Sequence, residues 1–161
     1  MSNADRPVPF ATTIHVRDHC LCLAAQRAAR ALARRFDAAF RPLGLSNGQF
    51  SLLMALNRPQ PAALSAVAAF LAMDRTTLTA ALKPLERRGL VRSEADPRDR
   101  RSRLLVLTDD GLALLAQAVP IWHREHGALD QELGEERLGA LHAGLAAVVA
   151  PPAPEKQREP A

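Results

Sequence analysis

Two short helix-forming segments followed directly by a charged hairpin constrain the fold of this chain more than any other feature. The first segment covers residues 66–71, which Ser65 can cap, and the second begins after Asp74, whose carboxylate can cap a helix that opens on Arg75. Only the pair Ala72-Met73 is left for a tight turn between them. The sequence therefore predicts a helix-turn-helix.

The segment after the helix-turn-helix predicts a β-hairpin with a basic tip. Gly89 ends the second helix, and residues 90–95 and 102–107 are short and rich in Val and Leu. Between them, residues 96–101 have the sequence Asp-Pro-Arg-Asp-Arg-Arg, which is a turn signal full of charge. A helix-turn-helix with such a hairpin is a winged helix-turn-helix.

A long amphipathic helix is predicted before this unit. Apolar residues recur there at spacings of three and four, which indicates one continuous helix from about residue 16 to residue 43. Pro7 and Pro9 predict that the first dozen residues are not helical. A capping box, Ser46 with Gln49, starts a second helix that runs through Leu56. The apolar stripe of the first helix consists of Leu21, Ala25, Ala28, Leu32, Phe36, Phe40 and Leu43.

Two helices are predicted after the hairpin. Thr108, followed by two aspartates, is an N-cap with acidic residues in the first turn, and Pro120 predicts a kink in the long helix that begins there. A last helix covers about residues 135–149, with one apolar stripe. The Pro-rich end of the chain has little to bury, so we expect it to be disordered.

The predicted fold class is mainly α with a small β wing: a winged helix-turn-helix flanked by N- and C-terminal dimerisation helices. The apolar stripes of the terminal helices, together with Trp122, Leu129 and Leu133, exceed what one small winged helix can cover, so we expect a homodimer. The predicted divisions are a flexible arm (1–14), the N-terminal helix (15–45), the DNA-binding unit (46–108), the C-terminal helices (109–149) and a disordered tail (150–161).

Composition favours some function classes and weakens others. The chain has 21 Lys and Arg against 17 Asp and Glu, a net charge of +4, so an anionic partner such as nucleic acid is favoured. The absence of an apolar run of about eighteen residues predicts a cytoplasmic protein with no membrane partner. Two cysteines and no zinc-ligand spacing predict no metal and no other cofactor. Common catalytic motifs are missing, so we expect no enzyme.

The second helix of a helix-turn-helix enters the major groove of DNA, where its exposed N-terminal face meets the base edges. Arg75 is suited to a bidentate contact with guanine, and threonines to phosphates or thymine methyl groups, while Lys83 lies farther along the helix, where a phosphate contact is expected. The predicted DNA-binding residues of the two helices are Ser65, Arg75, Thr76, Thr77, Thr79 and Lys83.

The hairpin tip adds Arg98, Arg100 and Arg101, and arginines on a narrow protrusion suit the minor groove. Asp96 is expected to hold an arginine side chain by a bidentate pair before DNA arrives. The alternative is that this charged run is only a solvated turn. A winged helix used for protein contacts alone is a further alternative, and it predicts no steep salt dependence of DNA binding.

Three stretches of the chain carry a family resemblance. Residues 71–91 have the sequence LAMDRTTLTAALKPLERRGLV, the hairpin turn has the pattern Asp-x-Arg-x-x-Arg at Asp96, Arg98 and Arg101, and residues 107–111 are LTDDG. Together they closely resemble the core of the multiple-antibiotic-resistance regulator (MarR) family, over roughly residues 17–149. The resemblance implies a repressor that binds a pseudo-palindromic operator as a homodimer with interlocking terminal helices. It also implies that Arg98 enters the minor groove, oriented by Asp96.

The resemblance further implies a switch: either a small aromatic or phenolic ligand, or oxidation of a cysteine, releases the DNA. A ligand pocket is expected between the first helix, the second helix and the DNA-binding unit. Arg17, His19, Arg27 and Arg30 are candidates to hold a carboxylate there. The alternative is that most of them form a solvated arginine face.

The alternative hypothesis is a thiol-based redox sensor of the same fold that uses Cys22. Cys20 and Cys22 fall in the first turns of the predicted helix, where the helix dipole and nearby basic residues favour thiolate. Cys22 also lies where the organic-peroxide-sensing branch has its reactive cysteine. That branch holds its thiolate with tyrosines, and this chain has none. A disulfide between residues two apart on a helix is sterically poor, and the plainer interpretation makes Cys22 a small buried apolar residue and Cys20 a bystander.

Overall fold

In the computed structural model, which describes residues 7–99 and 102–149, helices surround a small antiparallel sheet. The predicted class, mainly α with a small β wing, is confirmed. The helices are α1 (Phe10–His19), α2 (Leu21–Phe40), α3 (Asn47–Leu56), α4 (Leu64–Phe70), α5 (Arg75–Arg87), α6 (Asp109–Leu133) and α7 (Glu135–Val149). The strands are β1 (Ala62–Ala63), β2 (Val91–Ala95) and β3 (Arg103–Leu107), in the order β1-β3-β2.

The N-terminal region differs from its prediction in two ways. Helix α1 begins at Phe10, directly after Pro9, so the expectation that the first dozen residues are not helical is wrong. A proline directly before the first helical residue does not prevent helix formation, because the N–H that it lacks would have no partner within the helix. The predicted continuous helix is also wrong. The chain is extended at Cys20 (φ −77°, ψ 106°), whose Sγ accepts a hydrogen bond from the Leu23 N–H at 3.4 Å and thereby caps α2.

The core begins at the C-terminal end of α2. Phe36 and Phe40 are buried there, and the ring of Phe40 stacks on that of Phe50 in α3 with centroids 4.7 Å apart. A 3₁₀ turn and Gly44, at φ +60°, reverse the chain. The predicted capping box then starts α3: Ser46 Oγ accepts from the Gln49 N–H, and Gln49 Oε1 accepts from the Ser46 N–H.

The helix-turn-helix consists of α4 and α5. Helix α4 begins earlier than predicted, with Ala63 at the N-cap and no side-chain cap, so Ser65 lies inside the first turn and the prediction that it caps the helix is wrong. The prediction for Asp74 is confirmed, because its carboxylate accepts from the Thr77 N–H at 2.8 Å. The inward face of α5, formed by Leu78, Leu82 and Leu85, is buried as predicted.

The wing and the long helix after it join the same core. In the predicted hairpin, Val91 pairs with Leu107 and Ala95 with Arg103. The sequence analysis did not predict β1, because a strand of two residues gives no pattern; β1 pairs with β3. Thr108 caps α6 as predicted. Helices α5 and α6 continue through Pro84 and Pro120, and bends at these prolines stay predictions.

The terminal helices pack less completely. Arg35 on α2 pairs with Glu132 at 2.7 Å and with Glu125 at 3.6 Å on α6, and this contact lowers the pKa of Glu132. Trp122 and Leu129 of α6 pack half-buried against the core. None of the side chains of α7, by contrast, is buried in the single chain.

Candidate nucleic-acid interface

Helix α5 presents one apolar and one polar face. The leucines at three- and four-residue spacing turn toward the core, which leaves the other face to solvent. All the predicted contact residues of this helix lie exposed: Arg75, Thr76, Thr77, Thr79 and Lys83. Ser65 on α4 is exposed as well, so the structure brings a set of donors and cations to the surface of the helix-turn-helix.

The three threonines of α5 differ in what their hydroxyl groups can still do. Thr77 Oγ1 donates to Asp74 Oδ2 at 2.5 Å, and Thr79 Oγ1 donates to the Arg75 carbonyl at 2.7 Å. A hydroxyl has one hydrogen, so in these positions both groups can accept a hydrogen bond but cannot donate one to a phosphate. Thr76, which is exposed, makes no side-chain hydrogen bond to the described part of the chain.

Asp74 holds the start of α5 in shape. The Thr77 hydroxyl and then the Thr77 backbone N–H lower the pKa of its carboxyl, because both hydrogen bonds favour the charged form. A carboxylate at this helix N-terminus is also stabilised by the helix dipole. The carboxylate therefore stays charged and fixes the first turn, on which Arg75 and Thr76 sit.

The wing tip is a turn held by its own backbone. Asp96 Oδ1 accepts from the Arg98 N–H at 2.8 Å, the Asp96 N–H donates to the Ser102 carbonyl at 3.1 Å, and the Ser102 N–H donates to the Asp99 carbonyl at 2.8 Å. Asp96 thus contacts Arg98 through its backbone N–H. The predicted bidentate pair between Asp96 and an arginine side chain of the tip stays a prediction. The side chain of Arg98 is exposed. Arg100 and Arg101 lie outside the described residues.

Two other wing arginines are committed to the hairpin. Arg92 pairs with Glu94 at 2.5 Å, and Arg103 donates to Ser93 Oγ and to the Ser93 carbonyl, both at 3.0 Å. These cross-strand and same-strand contacts stiffen the wing. Arg98 at the tip, by contrast, is exposed and lies outside both strands.

The sequence analysis missed a set of contacts at the other end of α5. Arg88 Nη1 donates to the Gly44 carbonyl at 2.7 Å, and its Nη2 to the Leu43 carbonyl at 3.4 Å. Thr108 Oγ1 donates to the Gly89 carbonyl at 2.7 Å. Gly111 is the one residue in the sequence that could have indicated this close packing. A Cβ at this position would lie 2.1 Å from the Leu90 carbonyl oxygen, so only glycine fits there.

Of the four candidates for carboxylate binding, Arg17 and His19 lie at the end of α1 and the other two in the first half of α2. Three of the four have partners on their own helix. Arg17 pairs with Asp18 at 2.6 Å, which raises the arginine's pKa. His19 Nδ1 donates to the His15 carbonyl at 2.9 Å, and Arg30 Nη2 donates to Gln26 Oε1 at 3.1 Å. Arg27 is exposed on α2. Their role in ligand binding stays a prediction.

Surface depressions lie elsewhere on the molecule. One, of about 250 Å³, lies between the α3–β1 connection and the start of α6, with Arg58 and Leu112 in its wall. A second, of about 400 Å³, is lined by Asp130, Gln131, Glu135 and Leu138, and a third, of about 320 Å³, follows the outer face of α5 beside Lys83 and Arg87. None of these three is lined by a carboxylate-binding candidate.

The cysteines are placed differently from the plainer expectation. Cys22, expected to be buried, is exposed in the single chain, whereas Cys20 is half-buried at the break between α1 and α2. Cys22 Sγ accepts from Gln26 Nε2 at 3.2 Å.

The described residues were also searched for metal-ligand clusters and for membrane spans. No three His, Cys, Asp or Glu side chains gather there in a way that suits a metal ion. Within the same residues, each helix is too short or too polar to cross a bilayer.

Residues 45–102 match the model of the MarR family. HosA of Escherichia coli O111:H-, a transcriptional regulator, is 42% identical over 67 residues, covering 42% of this chain and 44% of HosA. TtmR of Methylorubrum extorquens is 31% identical over 120 residues, covering 74% of this chain and 62% of TtmR. The chain thus spans about half the length of these curated relatives.

Solved structures extend the match over more of the chain. MosR of M. tuberculosis in complex with DNA is 37% identical with a TM-score of 0.72, covering 81% of this chain and 96% of MosR. The repressor CouR bound to a 23-mer DNA duplex is 32% identical with a TM-score of 0.74, and the match covers 84% of this chain and 96% of CouR. With this fold and these matches, the chain belongs to the MarR family.

Proposed function

We propose that the protein is a sequence-specific DNA-binding transcriptional regulator, a repressor in the cytoplasm, that binds a pseudo-palindromic operator as a homodimer. The observation that carries the proposal is the exposed start of α5, where Arg75 and Thr76 stand on a turn fixed by Asp74. MosR and CouR, which share the fold, have been solved with DNA.

Each exposed group has a distinct role in this proposal. Arg75 contacts a guanine edge in the major groove, and Thr76 donates to a base or a phosphate. Thr77 and Thr79 offer methyl groups and acceptor lone pairs, as their hydroxyl hydrogens are already used. Ser65 and Lys83 contact phosphates, and Arg98 enters the minor groove.

A second copy of the chain is the proposed cover of the terminal helices. Leu21 is 77% exposed, Leu145 46% and Val148 74%. A helix of fifteen residues such as α7 is marginal in water without an apolar face to bury. Two-fold pairing through these helices places the two α5 helices about one DNA turn apart, or about 10 base pairs. The 23-mer bound by CouR is long enough for two such half-sites.

A small aromatic or phenolic ligand is proposed to release the DNA. Two neighbours support this class: CouR, 30% identical, has been solved with p-coumaroyl-CoA, and BpsR of Bordetella bronchiseptica, 26% identical, is regulated by 6-hydroxynicotinic acid. The proposal leaves the residues that contact such a ligand open, with Arg17, His19, Arg27 and Arg30 as the candidates. Titrating the protein–DNA complex with hydroxylated aromatic acids, with cyclohexane carboxylate as a matched non-aromatic control, tests it.

A thiol switch is the second candidate, and one observation favours it. Because Cys20 is extended and lies outside the regular helix, the steric objection to pairing two cysteines on one helix does not apply to it. The exposed Cys22 is accessible to peroxide in the single chain. If the switch operates, peroxide abolishes DNA binding by the native protein and not by Cys22→Ser. Loss of binding by both, or by neither, would reject it.

The function itself is tested by selecting duplexes from a random library and then measuring their affinity between about 50 and 200 mM salt. Over this range of salt, a protein that makes about 6–10 phosphate contacts loses about 10³–10⁵-fold in affinity. We expect an enriched inverted repeat and a steep salt slope. A winged helix that serves protein contacts alone would enrich no sequence.

A further inference from the structure

We propose that Arg88 is a positioning residue, not a DNA contact, and that with Thr108 it clamps the C-terminal end of α5 between the ends of α2 and α6. The inference rests on the proposed DNA-binding function and deepens it, since it names what sets the position of the recognition helix relative to the terminal helices.

The Arg88 side of the clamp spans 44 residues of sequence. Arg88 is the C-cap of α5, and its guanidinium donates to the carbonyls of Gly44, at 2.7 Å, and Leu43, at 3.4 Å. Leu43 is the last residue of the 3₁₀ turn that follows α2, and Gly44 is its C-cap. A planar guanidinium that contacts two successive carbonyls fixes the orientation of the end of α5 relative to this turn, as well as the distance between them.

The Thr108 side joins the same end of α5 to α6. Thr108 Oγ1 donates to the Gly89 carbonyl at 2.7 Å, and the Thr108 N–H donates to the Leu90 carbonyl at 3.1 Å. The same Oγ1 accepts from the Gly111 N–H at 3.1 Å and so caps α6. Because the Leu90 carbonyl lies against the Cα of Gly111, the start of α6 has little room to move relative to this point.

These contacts give two neighbouring arginines opposite roles. Arg87 is exposed on the outer face of α5, beside Lys83 in the same surface depression, which is the position of a phosphate contact. Arg88 is exposed too, but its guanidinium donates to the backbone carbonyls of Gly44 and Leu43. The terminal helices carry the proposed dimer contacts, and the clamp joins α5 to two of them, α2 and α6. The packing of the two chains against each other therefore sets the distance between the two recognition helices.

The experiment compares Arg88→Ala with its matched neighbour Arg87→Ala on the selected operator, at several salt concentrations, and on operators whose half-sites are one base pair closer or farther apart. For Arg87→Ala we expect the salt slope of the dimer to fall by about 1.8, which is about 0.9 for each of its two copies, with spacing preference unchanged. For Arg88→Ala we expect the native slope, a roughly ten-fold weaker affinity at the native spacing, and weaker discrimination between spacings, because the competent position is less populated.

Three outcomes would overturn the clamp: a reduced salt slope for Arg88→Ala, which would make it a phosphate contact; native affinity and spacing preference; or an equal loss at every spacing, which would make it a fold-stabilising residue only. If Arg88→Ala does not fold, Arg88→Lys is the substitute, because lysine keeps the charge but not the planar fork. If the native protein selects no operator, the proposed function fails, and that result is distinct from the three above.

Discussion

The winged helix-turn-helix and the outer parts of the terminal helices, which are α7 and the start of α2, use their apolar residues in opposite ways. In the former, Leu53, Leu78 and Leu105 are at most 2% exposed in the single chain. In the latter, α7 has no buried residue, and Leu21 at the start of α2 is 77% exposed. The contrast shows that one region encodes a fold that its own chain completes, whereas the other leaves an apolar surface, which we propose a second chain covers.

The largest expected effect comes from placing a charge on the incomplete region. Leu145→Glu should abolish dimerisation, because the carboxylate would be buried at the interface, and should weaken operator binding by at least about a hundred-fold through loss of the second half-site. Light scattering after gel filtration measures the first effect and fluorescence anisotropy with labelled operator the second.

Phe70→Glu is the matched control for that variant. Phe70 on α4 is even more exposed, at 68%, but belongs to the winged region. The mass of this variant should remain that of a dimer. If Leu145→Glu stays dimeric, or if Phe70→Glu becomes monomeric as well, the division between the two regions fails.

The next effect distinguishes the wing from the recognition helix. Arg98→Ala should weaken binding on all sequences and lower the salt slope of the dimer by about 1.8, which is about 0.9 for each copy. Arg75→Ala should cost about 1–3 kcal/mol per half-site and relax preference at one base position of each half-site. Competition assays with single-base operator variants, repeated at several salt concentrations, separate the two. Identical effects from both substitutions would contradict the assigned roles.

A smaller effect is expected within α5. Thr76→Val removes a hydroxyl that is free to donate and should weaken binding about five-fold. In Thr79→Val the hydroxyl that is lost already donates to the Arg75 carbonyl, and the methyl group remains. Only an acceptor is lost toward DNA, so affinity should change less than in Thr76→Val. The opposite order of effects, measured on the same operator, would show that Thr79 turns its hydroxyl toward DNA.

The smallest effect concerns pH and the start of α5. The pKa of Asp74 in the folded chain lies below its ordinary value of 3.8, so the carboxylate stabilises the fold above that value, and this contribution is lost as pH falls through the folded pKa. Thermal melts of the native protein and of Asp74→Asn should differ in their pH dependence only below about pH 4. A difference that grows toward neutral pH would assign the cap another role.

Local chemistry made much of the fold predictable. Ser46 with Gln49, Asp74 and Thr108 each carry their partner within three residues, so the starts of α3, α5 and α6 follow from short sequence signals. The leucine spacing of α5 likewise predicted its buried face. Such signals need no knowledge of the rest of the chain.

The errors arose where distant or unsignalled contacts decide the structure. Helix α4 begins before Ser65 because Ala62 and Ala63 pair with β3, some forty residues away in sequence. The break at Cys20 has neither proline nor glycine to mark it. The sequence analysis made no prediction for Arg88, because its contact depends on the Gly44 turn, which no pattern in its own helix reveals.

A hydroxyl-radical footprint of the native protein on its selected duplex, with stoichiometry measured on the same complex, tests the central claim most directly. The account predicts two chains per duplex and protection of two regions whose centres lie about 10 base pairs apart, lost steeply as salt rises. A single chain per duplex, or a uniform cleavage pattern in low salt, would contradict it.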